Sequence, residues 1–145
     1  MPGSRWQTYL SDHPLTLETR IKTTGANAVF SVGLQNKVTA DTLGSGAFIN
    51  RNVTGSFVYF NRGYLGSTTT FANADDPGND TFAIFRIDYT LGSVVFYKNG
   101  VQAASHSTNL LSGQDFLTPT FQVTLNEATA GSLYLDWFSV RPSVL

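Results

Sequence analysis

The chain contains no cysteine, which excludes disulfide bridges, thiolate nucleophiles and cysteine-held metals. Helix formers are scarce, with two Glu and one Met. Charge is scarce too: 13% of residues are charged, about half the usual quarter. Nine Lys and Arg face ten Asp and Glu for a net charge of -1. No basic block exists, so the electrostatic footprint of a nucleic-acid binder is missing. No run approaches the ~20 apolar residues of a membrane-spanning helix. The start, Met1-Pro2-Gly3-Ser4-Arg5-Trp6, lacks the apolar core of a signal peptide. The expectation is a chain not exported by that route, or a domain cut from a longer one.

What the chain does have is aromatic and β-branched character. Aromatic residues make up 13%, with eleven Phe and six Tyr, a balance that favours strands. At 145 residues the sequence predicts one domain, 1–145, large enough to bury roughly two-thirds of its unfolded surface.

Apolar residues recur with period two, the mark of half-buried strands. Leu15, Leu17 and Ile21 alternate with Thr16, Glu18, Arg20 and Lys22, and Ala28, Phe30, Val32 and Leu34 repeat the pattern. Phe85, Ile87 and Tyr89 alternate with Arg86 and Asp88. Ser93 to Val101 holds Asn99-Gly100, which fits a two-residue hairpin turn needing positive φ at both positions. Thr120 to Asn126 and Leu133 to Val140 add two closing strands. On the last, Leu133, Leu135 and Trp137 are expected to face the core, so Trp137→Ala is expected to unfold or badly destabilise the domain. Ser56 to Arg62 carries apolar groups on both faces. Turn clusters at short intervals indicate a sandwich or barrel. Gly63 to Asp80 reads as the longest irregular stretch.

Two candidate sites emerge. Asp75, Asp76, Asn79 and Asp80 concentrate oxygen ligands that could hold a structural calcium; the same residues are those of a solvated turn. Tyr59, Phe60, Tyr64 and Tyr97, with Phe71, exceed what one core needs. Exposed aromatics stack on sugar rings and anchor protein interfaces, and a covering loop would equally account for them. The sequence offers no metal spacing around His13 or His106, no Gly-x-Ser-x-Gly elbow and no phosphate-binding loop.

Three segments, in order, resemble the concanavalin A-like lectin and glucanase superfamily. They are Leu17 to Lys22, the Phe85–Val101 hairpin with its Asn-Gly turn, and the closing Ser132 to Val140. The resemblance implies a two-sheet antiparallel jelly-roll sandwich, and relatives often bind calcium. It also implies, for the enzymes, a strand bearing Glu-x-Asp-x-x-Glu. Hydrolysis needs two carboxyl groups across a glycosidic bond. Ala28 to Arg62, where that strand should fall, has no Glu, and its one acid is Asp41.

The expectation is therefore a non-catalytic structural or interaction module without a required cofactor. Its partner is expected to be protein, either itself or a particle surface, as in a bacteriophage head-decoration or fibre protein on the virion surface. An oligomer follows from the apolar groups on both sheet faces. The alternative is an extracellular carbohydrate-binding module taking a glycan.

Overall fold

The computed structural model of the chain describes residues 8–9, 14–24, 28–36, 38–39, 42–51, 57–71, 81–111, 116–125 and 132–142. All regular structure among them is strand: β1 (Thr8–Tyr9), β2 (Leu15–Thr24), β3 (Ala28–Gln35), β4 (Val38–Thr39), β5 (Thr42–Leu43), β6 (Gly46–Arg51), β7 (Phe57–Arg62), β8 (Ser67–Phe71), β9 (Ala83–Tyr89), β10 (Val94–Lys98), β11 (Val101–His106), β12 (Phe116–Leu125) and β13 (Ser132–Pro142). One sheet has the order β1-β12-β3-β6-β7-β8, the other β11-β10-β9-β2-β13, and β4-β5 form a separate ladder. All pairings are antiparallel. This is the two-sheet antiparallel jelly-roll sandwich that the resemblance implies.

The core is the sum of the inward positions. Leu15, Leu17 and Ile21 of β2, Phe85, Ile87 and Tyr89 of β9, and Val94 and Phe96 of β10 meet Phe30, Val32 and Leu34 of β3, Ile49 of β6, and Phe57 and Tyr59 of β7. Phe57 packs its ring on Phe85 at 5.2 Å and Tyr59 on Phe96 at 5.6 Å, joining the two sheets. The hairpin turn forms as the sequence predicts, with φ of 49° at Asn99 and 81° at Gly100. Asn99 Oδ1 also accepts from the Ile84 amide at 2.9 Å.

Three sequence expectations need correction. The stretch from Gly63 to Asp80 is not wholly irregular, because Ser67–Phe71 pairs with β7 from Arg62↔Ser67 to Val58↔Phe71. Its Thr-rich run is polar on both faces and so carries no apolar alternation. The segment Gly46–Arg51, to which the alternation assigns no strand, is a central strand between β3 and β7. The face of Trp137 is also reversed. A register shift falls between Leu135, opposite Ile21, and Trp137, opposite Arg20. One inserted residue flips every later side chain. Phe138 therefore shares the inner face of Thr19, and Trp137 stands outside.

Candidate binding surfaces

The four aromatics singled out from the sequence do not meet. Tyr59 is 2% exposed and belongs to the core, so it is no part of a binding face. Phe60 lies half-buried on the outer face of the six-stranded sheet, 6.1 Å from the Phe48 ring. Tyr97 lies on the outer face of the other sheet under Arg86, whose guanidinium sits 3.8 Å from the ring centroid. Tyr64 is on the loop between β7 and β8 and is 67% exposed. Apolar groups on both faces of β7 and β10 thus become two separate outer faces, each partly covered by its own neighbours. The proposed calcium ligands Asp75, Asp76, Asn79 and Asp80 lie outside the described residues, and Phe71 is described for its backbone pairing alone.

Tyr64 does belong to a concavity, at the end of the sandwich where three connections converge. A cleft of about 490 Å³ is lined by Gly63, Tyr64, Leu65, Leu91, Ser107, Asn109, Leu110 and Leu111. Its rim is apolar and open: Leu65 is wholly exposed and Leu91 about half. The loop is tight because the Gly63 amide donates to Gly66 O at 2.9 Å. It also presses on its neighbour, since a side chain at Gly63 would stand 2.9 Å from Asn109 O. Asn109 holds the floor in a left-handed conformation, φ 54°, and its Nδ2 donates to Thr68 Oγ1 at 3.0 Å. Tyr64 OH accepts from Asn36 Nδ2 at 3.0 Å. Of this cleft the sequence reading found Tyr64 alone; the Tyr-Leu pair between two glycines was the available signal for Leu65.

Beneath the cleft a polar network ties β7 and β8 to β11. His106, 5% exposed, has Nδ1 2.6 Å from Asn61 Oδ1 and Nε2 2.7 Å from Thr70 Oγ1. Asn61 Nδ2 is spent on Thr108 O and Asn109 O, at 2.8 and 2.9 Å. The Asn61 oxygen can only accept, so His106 carries its proton on Nδ1 and accepts from the Thr70 hydroxyl at Nε2. The Phe96 ring closes over the imidazole at 5.4 Å.

Burial pushes His106 below its ordinary pKa of 6.5. The folded state therefore resists a proton that the unfolded chain accepts. Stability should be full above about pH 6.5 and decline as pH falls from there towards the lower folded value. Urea midpoints measured across that window should fall in the parent and fall less in His106→Gln. Equal slopes for the two proteins would remove His106 as the cause.

The two outer faces differ in chemistry. On the five-stranded sheet charges alternate and pair: Arg20 with Asp136, Arg86 with Asp88 at 3.3 Å, Arg141 with Glu18 at 3.8 Å. Such surface pairs stabilise little. The outer face of the six-stranded sheet is neutral amide and hydroxyl: Ser31, Gln35, Asn50, Thr69, Thr118, Thr120 and Gln122, around Phe48 and Phe60. The register places them on one side. Ser31 Oγ donates to Asn50 Oδ1 at 2.6 Å, and Gln35 Oε1 accepts from the Gly44 amide at 2.9 Å. Among the described residues this face has one charged group, Arg62, and no carboxylate.

No protein-family model matches the sequence, and no curated protein is similar to it. Solved structures do match. A β-1,3-1,4-glucanase (lichenase) from a mouse hindgut metagenome superposes with a TM-score of 0.69 at 10% identity, over 99% of this chain and 76% of that one. The Bacillus licheniformis β-glucanase gives 0.66 at 12% identity, over 91% and 66%. Alginate lyase A1-II′, a member of polysaccharide lyase family 7, gives 0.65 at 12% identity, over 92% and 63%. The fold is the concanavalin A-like jelly roll. At these identities the likeness shows the fold alone, and the chain spans about two-thirds of the length of such enzymes. Within this jelly roll, no three His, Asp or Glu side chains among the described residues come together as a metal site would require.

Proposed function

We propose that the domain is a non-catalytic interaction module whose partner is protein, the surface of a larger particle such as a virion. The observation that carries the first half is the outer face of the six-stranded sheet, which has no carboxylate among the described residues. Glycoside hydrolysis requires one carboxyl group to protonate the leaving oxygen and a second to attack or activate water. Ser31, Asn50, Gln35 and Gln122 can hydrogen-bond a ligand but cannot transfer protons at neutral pH. The second half is supported by the loop-end cleft, where Tyr64, Leu65 and Leu91 expose apolar surface over a rigid hydrogen-bonded floor. Exposed apolar groups set in a polar surround mark protein contacts.

A second reading draws on the same sheet face. Half-buried Phe60 with amides on neighbouring strands is the chemistry that stacks on a sugar ring and bonds its hydroxyls. Incubation with β-glucan and alginate separates the readings. No new reducing ends or unsaturated products should form, and gels containing either polymer should not retard the protein. Turnover abolished by replacing one acid would overturn the non-catalytic reading. Retardation lost in Phe60→Ala would move the assignment to glycan binding. Recovery of the chain from purified particles, lost in Leu65→Lys with Leu91→Lys, is the result expected for the protein reading.

A further inference from the structure

Among the described residues the sandwich is open on one side: β13 pairs with β2 alone and is the edge of its sheet. Directly across, among the described residues β12 is paired on its outer edge by β1 at Leu117 and Phe116 alone; Pro119, which has no N–H to offer, lies two residues further along. Inner-face residues that should be covered are not: Leu135 is 42% exposed and Phe138 49%. Phe138 packs on Phe121 of the opposite sheet at 5.2 Å. A cavity of about 360 Å³ opens between the sheets, lined by Pro119, Phe138, Ser139 and Val140. A long edge strand with apolar side chains is a template for pairing.

We propose that a second copy of this chain fills that edge, with the two β13 strands antiparallel about a two-fold axis at Ser139. Three features of the strand select its own copy. First, the backbone polarity fits. The Trp137 carbonyl is turned to β2, where it accepts from Thr19 Oγ1 at 2.8 Å. N–H and C=O directions alternate along a strand, so Phe138 and Val140 turn theirs to the outer edge. Pairing about Ser139 sets Phe138 opposite Val140 in both halves, and each such pair exchanges two N–H···O bonds. Second, the inner faces match. The same pairing joins Phe138 to Val140 across the axis and closes both cavities with apolar surface. Third, the charges match. Asp136 and Arg141 are the strand's two charged residues, of opposite sign and on either side of Ser139. Antiparallel pairing brings each Arg141 opposite the other copy's Trp137, for a cation–π contact, and beside its Asp136. Within one chain Arg141 Nη1 donates to Ser139 Oγ at 2.9 Å and stands 3.8 Å from Glu18 Oε1. The inserted residue at Asp136, facing Pro142 of the other copy, ends the ladder at both ends. This inference is independent of the function proposed above, since an enzyme on the same sandwich would dimerise the same way.

The absence of native cysteine makes the register directly testable. Two Ser139 residues at the axis would form a non-hydrogen-bonded pair, with Cα atoms ~4.5 Å apart, inside the range a disulfide spans. Light scattering across a concentration series should show a dimer for the parent. Ser139→Cys should form an intermolecular disulfide more than about tenfold faster than Gln102→Cys, because pairing raises the local thiol concentration. Phe138→Lys should be a monomer with unchanged β-sheet circular dichroism. A monomeric parent overturns the proposal, as does a dimer whose Ser139→Cys links no faster than Gln102→Cys. Should Phe138→Lys fail to fold, the Ser139→Cys rate decides alone.

Discussion

Gly33→Ala is expected to leave the chain unfolded. Gly33 lies in the middle of β3, with β12 on one side and β6 on the other. A Cβ there would stand 2.1 Å from the Ala47 carbonyl oxygen and 2.9 Å from Phe48 Cα. Both are backbone atoms of a central strand, so relief means prising β6 from β3. The third neighbour, Phe48 Cδ1 at 2.8 Å, belongs to a ring that lies over the glycine and is itself fully buried. Moving it would cost the packing that covers the sheet's outer face. The expected loss is above about 4 kcal/mol, against a typical total of about 5–15 kcal/mol. Gly92 is the internal control, because nothing lies within 4 Å of a Cβ there. Urea titration followed by circular dichroism should show Gly92→Ala near the parent and Gly33→Ala without a cooperative transition. A Gly33→Ala midpoint close to the parent's would show that β3 and β6 are spaced more widely than described.

How much of this fold the sequence discloses depends on where each element's information resides. β2, β9 and the β9–β10–β11 run are legible, because alternation and the Asn-Gly turn are local. β6 is not legible: Ala47, Phe48 and Ile49 are all fully buried, so the covered outer face erases the period-two signal. β8 is invisible for the opposite reason. Its threonines are held by pairing with β7 and by contacts such as Thr68 Oγ1 with Thr108 Oγ1 at 2.8 Å, partners 40 residues distant in the chain. The bulge at Asp136 leaves no local mark, yet it decides which of Trp137 and Phe138 faces inward.

The candidate surfaces were legible in kind but not in place. Aromatics in excess of one core are a property of composition. Whether Tyr59 is core and Tyr64 surface depends on which face of β7 meets β10, which is a tertiary fact. Arg51 shows the same limit: a charged residue is expected outside, yet it is 1% exposed on the inner face opposite Phe30 and Phe57. Burial there pulls its pKa below the ordinary guanidinium range. His106 and Asn61 lie 45 residues apart, and no spacing rule joins them.

The correction at β13 yields the second large effect, a contrast between two aromatic truncations. Phe96 is wholly buried and bridges the sheets, with ring contacts to Tyr59 and to His106 at 5.6 and 5.4 Å. Phe96→Ala removes the ring from a close-packed interior and leaves a cavity between strands that cannot collapse independently. The expected cost is ~3–5 kcal/mol, which lowers the melting temperature by about 6–20 °C for a chain of this size. Trp137 has the larger side chain, but it sits on the outer face at 36% exposure. Its backbone carbonyl, the group Thr19 bonds, survives replacement. Trp137→Ala should therefore cost about 1 kcal/mol or less. Both variants should be melted at low protein concentration, where association of copies does not raise apparent stability. A Trp137→Ala melting temperature as low as that of Phe96→Ala would return Trp137 to the core and remove the bulge from β13. The Ser139 axis would fall with it, because without the inserted residue Phe138 and Val140 would face outward.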